Sequence, residues 1–328
     1  MSTPNESESS DIAGVYGPGE VPEGYEQFES VDKHKSTRQQ IIEAMVRNKL
    51  ALFGSATVLV FIFVAVFAPI IAPYDPDAMY ETLVGTNGYS TTIEGGEEVE
   101  VWHPLGTDSF GHDLLSRLIY GARISLLVAG ATALFAFTVG TAIGLVAGYY
   151  RGWVDDVLMR FIDFLWAFPA LILAIGIMAF LGGIGTLNVI VAIGIAYIDD
   201  FARIVRGEIL SVREEEYITA SRSVGMGDTR IMVSEVIPNA FGPLLVQLTL
   251  MIPLAILAEA GLTFLGVGVS PTTPSWGLLL NEGRAYITSA WWISIFPGLA
   301  IMITVLAFNL MGDGLRDALN AGNEVKER

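Results

Sequence analysis

The chain has 328 residues, 52% of them hydrophobic and only 16% charged, with a mean hydropathy of +0.53. That is too apolar for an ordinary soluble domain of this length, so lipid is the expected solvent for most of it. The absence of cysteine excludes a disulfide framework and a thiolate metal site, and with a net charge of −17 no nucleic-acid partner is expected.

The basic residues are lopsided, 14 Arg against 4 Lys. An Asp- and Glu-rich, Lys-poor surface suits a protein bathed in concentrated salt; a GC-rich genome combined with one acidic tail gives the same numbers. That tail comes first: residues 1 to 32 hold eight acidic residues and no Lys or Arg, so residues 1–35 read as a disordered acidic segment. The first apolar run begins only near Leu50, so it is expected to stay as an anchor and not to be cleaved as a signal peptide.

Between Lys49 and Asp75 lie 25 residues without formal charge, more than enough for a hydrocarbon core of roughly 30 Å. Residues 36–49 read as an interfacial lead-in helix and 50–73 as span one. Residues 74–117 form a polar loop whose middle, GTNGYSTTIEGGEEVEVW, reads as an acidic β-hairpin. Arg123 to Arg151 encloses span two, rich in Gly and Ala. The uncharged run Phe164 to Ile198, broken at Gly182-Gly183-Ile184-Gly185, reads as a hairpin of spans three and four, with Asp163, Asp199 and Asp200 at their polar ends. Spans five, about Phe241 to Val267, and six, about Trp292 to Met311, bring the expected count to six, within a core of residues 118–312 followed by a tail, 313–328.

A polar island, EYITASRSVGMGDTRIMVSEVIP, lies between spans four and five, within the segment 207–238. It has two helix-like halves, Glu216 to Val224 and Thr229 to Ile237, around Gly225-Met226-Gly227, with Asp228 suited to cap the second half and Pro238 to end it. Six spans put this island and both termini on one side. That side then holds 15 of the 18 Lys and Arg residues, leaving Arg117, Arg123 and Arg284 opposite, so it is expected to be cytoplasmic.

The four lysines follow Asp32, His34, Asn48 and Val325, so no Gly-Lys pair exists and no Walker-type ATPase is carried here. No catalytic, cofactor-binding or metal-ligating residues are expected; His34, His103 and His112 have no paired spacing. An ion-coupled carrier would place ionisable groups in the membrane, and Glu259 is the deepest candidate, as a pathway or gate residue or as a carboxylate bonded to a neighbouring helix.

The island resembles the EAA loop of binding-protein-dependent ABC importer permeases, with Thr219-Ala220-Ser221 at the Glu-Ala-Ala positions, then Gly225 and Ile237-Pro238. Thr219 departs from that motif's Glu, and Glu235 stands where an apolar residue is usual. The run HPLGTDSFGHDLLSRLIYGARISL from His103, with His112 in place of a customary Arg, is similar to permeases of the dipeptide, oligopeptide and nickel C-subunit type. So are RNKLALFG at Arg47, LMRFIDFLWAFPALILAI at Leu158, AEAGLTFLGVGVSPTTPSWG at Ala258 and GDGLRDAL at Gly312.

Together these runs span roughly residues 40 to 320. The resemblance implies an all-α membrane subunit with the type I importer permease fold, lodged in the cell membrane with lipid around it. It implies pairing with a homologous second permease, two ATPase subunits that bind ATP and Mg, and an extracellular substrate-binding protein. It also implies coupling to the ATPases through Glu216, Tyr217, Ala220, Arg222, Gly225, Met226 and Asp228. Short peptides are the leading solute; nickel, another small solute, or an ion-coupled carrier or channel working alone are the alternatives.

Overall fold

The computed structural model describes residues 37–94 and 97–324; the acidic segment 1–35 and the last four residues of the tail lie outside them. Helix α1 (Thr37–Arg47) leads to Asn48, whose side chain accepts from the amides of Leu50 and Ala51 and so caps α2 (Lys49–Val66). A short α3 (Ala68–Ile71) follows, with Pro in its first turn, where no amide donor is needed.

Strands β1 (Gly88–Glu94) and β2 (Glu97–His103) pair antiparallel, Gly88 opposite His103, as the alternating pattern of that loop predicts. This hairpin is fastened to the helices through a buried histidine. His103 is fully buried, with one ring nitrogen 2.8 Å from Ser90 Oγ across the hairpin and the other 2.8 Å from Asp113 Oδ1. The other oxygen of Asp113 accepts from the Ser116 amide and caps α4 (Leu114–Tyr150), a helix of 37 residues. His103, which has no paired spacing in the sequence, is a structural bridge.

Helix α4 runs beside α8 (Ile198–Val212), and its glycines set the distance. A methyl group placed on Gly140 would lie 2.6 Å from Phe201 Cβ, on Gly144 2.4 Å from the Ala202 carbonyl oxygen, and on Gly148 2.9 Å from Ile209 Cβ. Contacts advance in the same direction along both helices, so they are parallel. The four-residue spacing forms one groove into which α8 sinks, the packing that small residues permit where lipid gives helices no hydrophobic reason to associate.

Between them the chain is broken twice. Helix α5 (Gly152–Trp166) bends by 97° into α6 (Ala170–Phe180) at Phe168-Pro169. Positive φ at Gly182 and Gly183 then turns the chain into α7 (Thr186–Ala196), which continues past Tyr197 into α8. At eleven residues, α6 and α7 are each about 16 Å long, half a bilayer core.

Among the described residues, four helices are individually long and apolar enough to cross a membrane: α2, α4, α11 (Ile237–Phe264) and α13 (Trp292–Glu324). The bent pair α5 and α6 makes up to five. The expected spans three and four are thus short, broken helices. Pro169 forces the break between α5 and α6, because it removes an amide donor and crowds the preceding turn. Asp199 and Asp200, expected at the end of span four, sit instead where α7 gives way to α8, midway along 186–212.

Candidate functional site: the loop between α8 and α11

The last turns of α8 reach Val212, so the polar island begins with α9 (Glu216–Ser223). Its end is a Schellman motif: the Gly225 amide donates to Arg222 O (2.9 Å) and the Met226 amide to Ser221 O (3.1 Å). The motif needs a left-handed residue between them, and Gly225 supplies it with φ +84°. Helix α10 (Asp228–Ile231) and a wide π-type turn, Met232–Val236, then run into α11.

Two expectations from sequence are corrected here. Asp228 does not cap the second helix: it is that helix's first residue, and its carboxylate accepts from the Tyr149 hydroxyl of α4. Pro238 does not end a helix; it lies in the first turn of α11, after the wide turn. A proline is harmless at a helix start because that amide has no partner to lose.

The inner face of the loop is packed. Ile218 and Ile231 are fully buried and Met232 nearly so, in one cluster with Val205 and Ile209 of α8, Ala240 and Leu244 of α11, and Tyr149; Met226 packs against its edge. Tyr149 organises the polar side of the contact. The guanidinium of Arg222 lies 5.3 Å from its ring centre and that of Arg213 5.8 Å, and Arg213 also donates to the Tyr149 carbonyl. Arg151 adds an exposed ion pair to Glu214 at 2.6 Å.

The outer face carries exposed Glu216, Tyr217 and Ala220, with Val224 79% exposed at the turn. Burial pushes the Tyr217 phenol up, and Glu215 and Glu235 add to it, so this face presents a neutral aromatic ring. The structure therefore gathers Arg222, Met226 and Asp228 around Tyr149 and leaves Glu216, Tyr217 and Ala220 facing away. Tyr149, Arg213, Ile218 and Ile231 were not singled out from sequence. The alternation of buried Ile218 with exposed Tyr217 and Ala220 was the available signal.

Glu259 lies toward the far end of α11 and is fully buried. It accepts from Ser125 Oγ of α4 (3.2 Å), Thr263 Oγ1 (2.9 Å) and Ser275 Oγ (3.0 Å). Ser275 also caps α12 (Trp276–Gly283), so one carboxylate ties three helices together. Nearby, Arg117 joins Asp108 and Glu282, the latter at 2.7 Å, while His112 Nδ1 sits 2.9 Å from Asp108.

The pattern of the family described as binding-protein-dependent transport system inner membrane component matches residues 140–324, more than half of the chain. This chain belongs to that family. The pattern described as the N-terminal transmembrane domain of oligopeptide transport permease C matches residues 36–87 of the permease as well. A di/tripeptide transport system permease protein of Pseudomonas aeruginosa is 42% identical over 88% of this chain and 93% of its own. A dipeptide transport permease of Alkalihalophilus pseudofirmus is 40% identical over 86% and 89%, and a glutathione transport permease of Pectobacterium atrosepticum 40% over 88% and 94%.

Among solved structures, an inward-facing MetNI methionine ABC transporter chain superposes with a TM-score of 0.52 at 19% identity, covering 62% of the permease and 95% of that chain. The permease is thus an all-α, multi-pass membrane transport subunit with the type I importer fold.

Proposed function

We propose that this permease forms half of the translocation path of an ATP-driven importer of short peptides. The carrying observation is the loop of α9 and α10: its buried inner face fixes it to α4, α8 and α11, and its outer face offers Tyr217, Ala220 and Val224 to a protein in water. An ATPase subunit of the same transporter is the partner that such a face fits. Glu216, Tyr217 and Ala220 make the contact; Arg222, Met226, Asp228 and the Gly225 turn keep the loop rigid against Tyr149.

On this reading the loop end and both termini are cytoplasmic, in keeping with the 15-to-3 split of basic residues. A homologous second permease completes the path, two ATPase subunits hold ATP and Mg, and a substrate-binding protein delivers solute at the β-hairpin side. The chain has no Gly-Lys pair and so no Walker-type phosphate loop of its own. Closure of the ATPase dimer tilts the loop, and the helices bonded to it change access from one side to the other. Peptide as solute follows the names of the relatives, including glutathione, itself a small peptide.

The test is reconstitution in vesicles. ATP-dependent uptake of a labelled dipeptide is expected only when both permeases, the ATPases and the binding protein are present. Solute movement by this chain alone on an ion gradient overturns the reading.

A further inference from the structure

A cleft of about 430 Å³ opens between the bend at Ala167 to Pro169 and the interruption at Tyr197, and its walls include Trp166, Phe168, Tyr197, Asp199 and Asp200. Asp199 is only 6% exposed. Among the described residues no other side chain hydrogen-bonds or ion-pairs its carboxylate, which meets only the amides of its own turn. Arg203, whose charge reaches it, is engaged elsewhere, pairing with Asp163 at 3.1 Å and lying 5.2 Å from the Trp166 ring centre.

The depth of the cleft matters. Asp199 is thirteen residues beyond Thr186, about 20 Å along a path that continues to Val212, well inside a hydrocarbon core of roughly 30 Å. A carboxylate at that depth is costly unless it faces a wet cavity or a cation, and broken helices are tolerated there where they are buried in protein or line a wet cavity, as these line the cleft. Asp199 and Asp200 do complement the α8 dipole, but that gain is smaller than the cost of their depth. Aromatic faces beside carboxylates form a chemical environment suited to an organic ammonium ion.

We propose that this cleft binds the protonated amino group of the passing solute, Asp199 and Asp200 supplying the charge and Trp166, Phe168 and Tyr197 the walls. The solute identity rests on the peptide-import reading: a short peptide carries an α-ammonium at neutral pH. The cation preference of the cleft does not rest on it.

The chain has no cysteine, so Ala170→Cys places a single thiol of this chain in the cleft. In the assembled transporter, its modification by cationic aminoethyl methanethiosulfonate is compared with that by the anionic sulfonatoethyl reagent, read by the mass of this chain. After normalisation to a free thiol, the cation is expected to react at least ~10-fold faster, a preference that shrinks toward unity with Asp199→Asn and Asp200→Asn and returns with Glu at both. Equal rates, or no reaction with either reagent, overturn the proposal, and the arm with native aspartates decides even if the double Asn variant does not assemble.

Tritiated dialanine uptake then reads the solute. The double Asn variant is expected to lose about 10-fold in uptake while binding-protein-stimulated ATP hydrolysis persists. Unchanged uptake by that variant overturns the proposal. A native complex that shows the cation preference but imports no dipeptide sinks the peptide reading and leaves the cation site standing.

Discussion

Tyr149, the last residue but one of α4, donates its hydroxyl to the carboxylate of Asp228 at the start of α10. With Arg222 5.3 Å from the same ring centre, this contact joins the exposed loop to the longest helix of the permease. Tyr149→Phe keeps the ring and both cation contacts but loses the bond, a loss of about 1 kcal/mol or somewhat more, since the acceptor is charged. Amide exchange across 216–236 is expected to rise several-fold, and uptake per ATP hydrolysed to fall. Unchanged exchange in that segment would show that packing alone holds the loop.

Gly225 tests the turn. A methyl group there meets nothing within 4 Å, so the cost of Gly225→Val is backbone strain at φ +84°, about 1 to 2 kcal/mol or more for a β-branched residue. The variant is expected to assemble at native yield yet hydrolyse ATP without importing solute. Gly227→Ala serves as the control, because φ −70° suits any residue, and is expected to transport normally.

The α4 groove predicts a failure of another kind. Gly144→Val puts Cβ 2.4 Å from the Ala202 carbonyl oxygen and 2.8 Å from Val205 Cβ, both on the facing helix. Overpacking of this sort costs about 1–3 kcal/mol, and more where backbone must move. The detergent-solubilised variant is expected to melt several degrees lower, whereas Gly130→Val, which meets nothing within 4 Å, is expected to match the native chain.

Glu259 separates a tether from an ion gate. Glu259→Gln can still bond Ser125, Thr263 and Ser275, so uptake within about twofold of native is expected. Glu259→Ala strands three hydroxyls and is expected to lower stability by about 2–3 kcal/mol. Abolished transport in the Gln variant, with normal assembly, would show that the carboxylate's charge is needed.

The cluster of Asp108, Arg117 and Glu282 predicts a two-limbed pH profile. Burial raises the Glu282 carboxyl above its ordinary 4.5, only partly offset by Arg117. The folded state then binds that proton more readily than the unfolded chain, so stability gains slightly as pH falls from neutral through the raised pKa. Burial also raises Asp108, but the hydrogen bond from His112 and the charge of Arg117 outweigh it and leave the carboxyl below 3.8. Its contribution is present above the unfolded value and lost as pH falls beneath it. Melting temperature is expected to hold or rise on acidification toward about pH 5 and drop below about pH 4. Glu282→Gln removes the first limb and Asp108→Asn flattens the second.

How much of this was legible in the sequence depends on the range of the interaction. The uncharged runs behind α2 and α4 and the Gly-Met-Gly turn announce themselves locally, because a helix needs only length and period and a Schellman turn only its glycine. The proline of Phe168-Pro169 signals a bend, but its size, 97°, was hidden because apolar residues flank it on both sides and hydropathy carries no angle. Asp228 looked like a cap because its true partner, Tyr149, stands 79 residues earlier in the chain. Nothing in the spacing of His103 showed its bridging role, because Ser90 and Asp113 converge on it only once the hairpin has paired.

Helix α4 extends unbroken for 37 residues, roughly 55 Å, with the His103 and Asp113 fastening at one tip and Tyr149 at the other. A rod of that length has no slack to take up. On the lever reading proposed above, a tilt imposed at the Tyr149 end is carried to the hairpin end of the same rod, so the two faces of the membrane are mechanically one part.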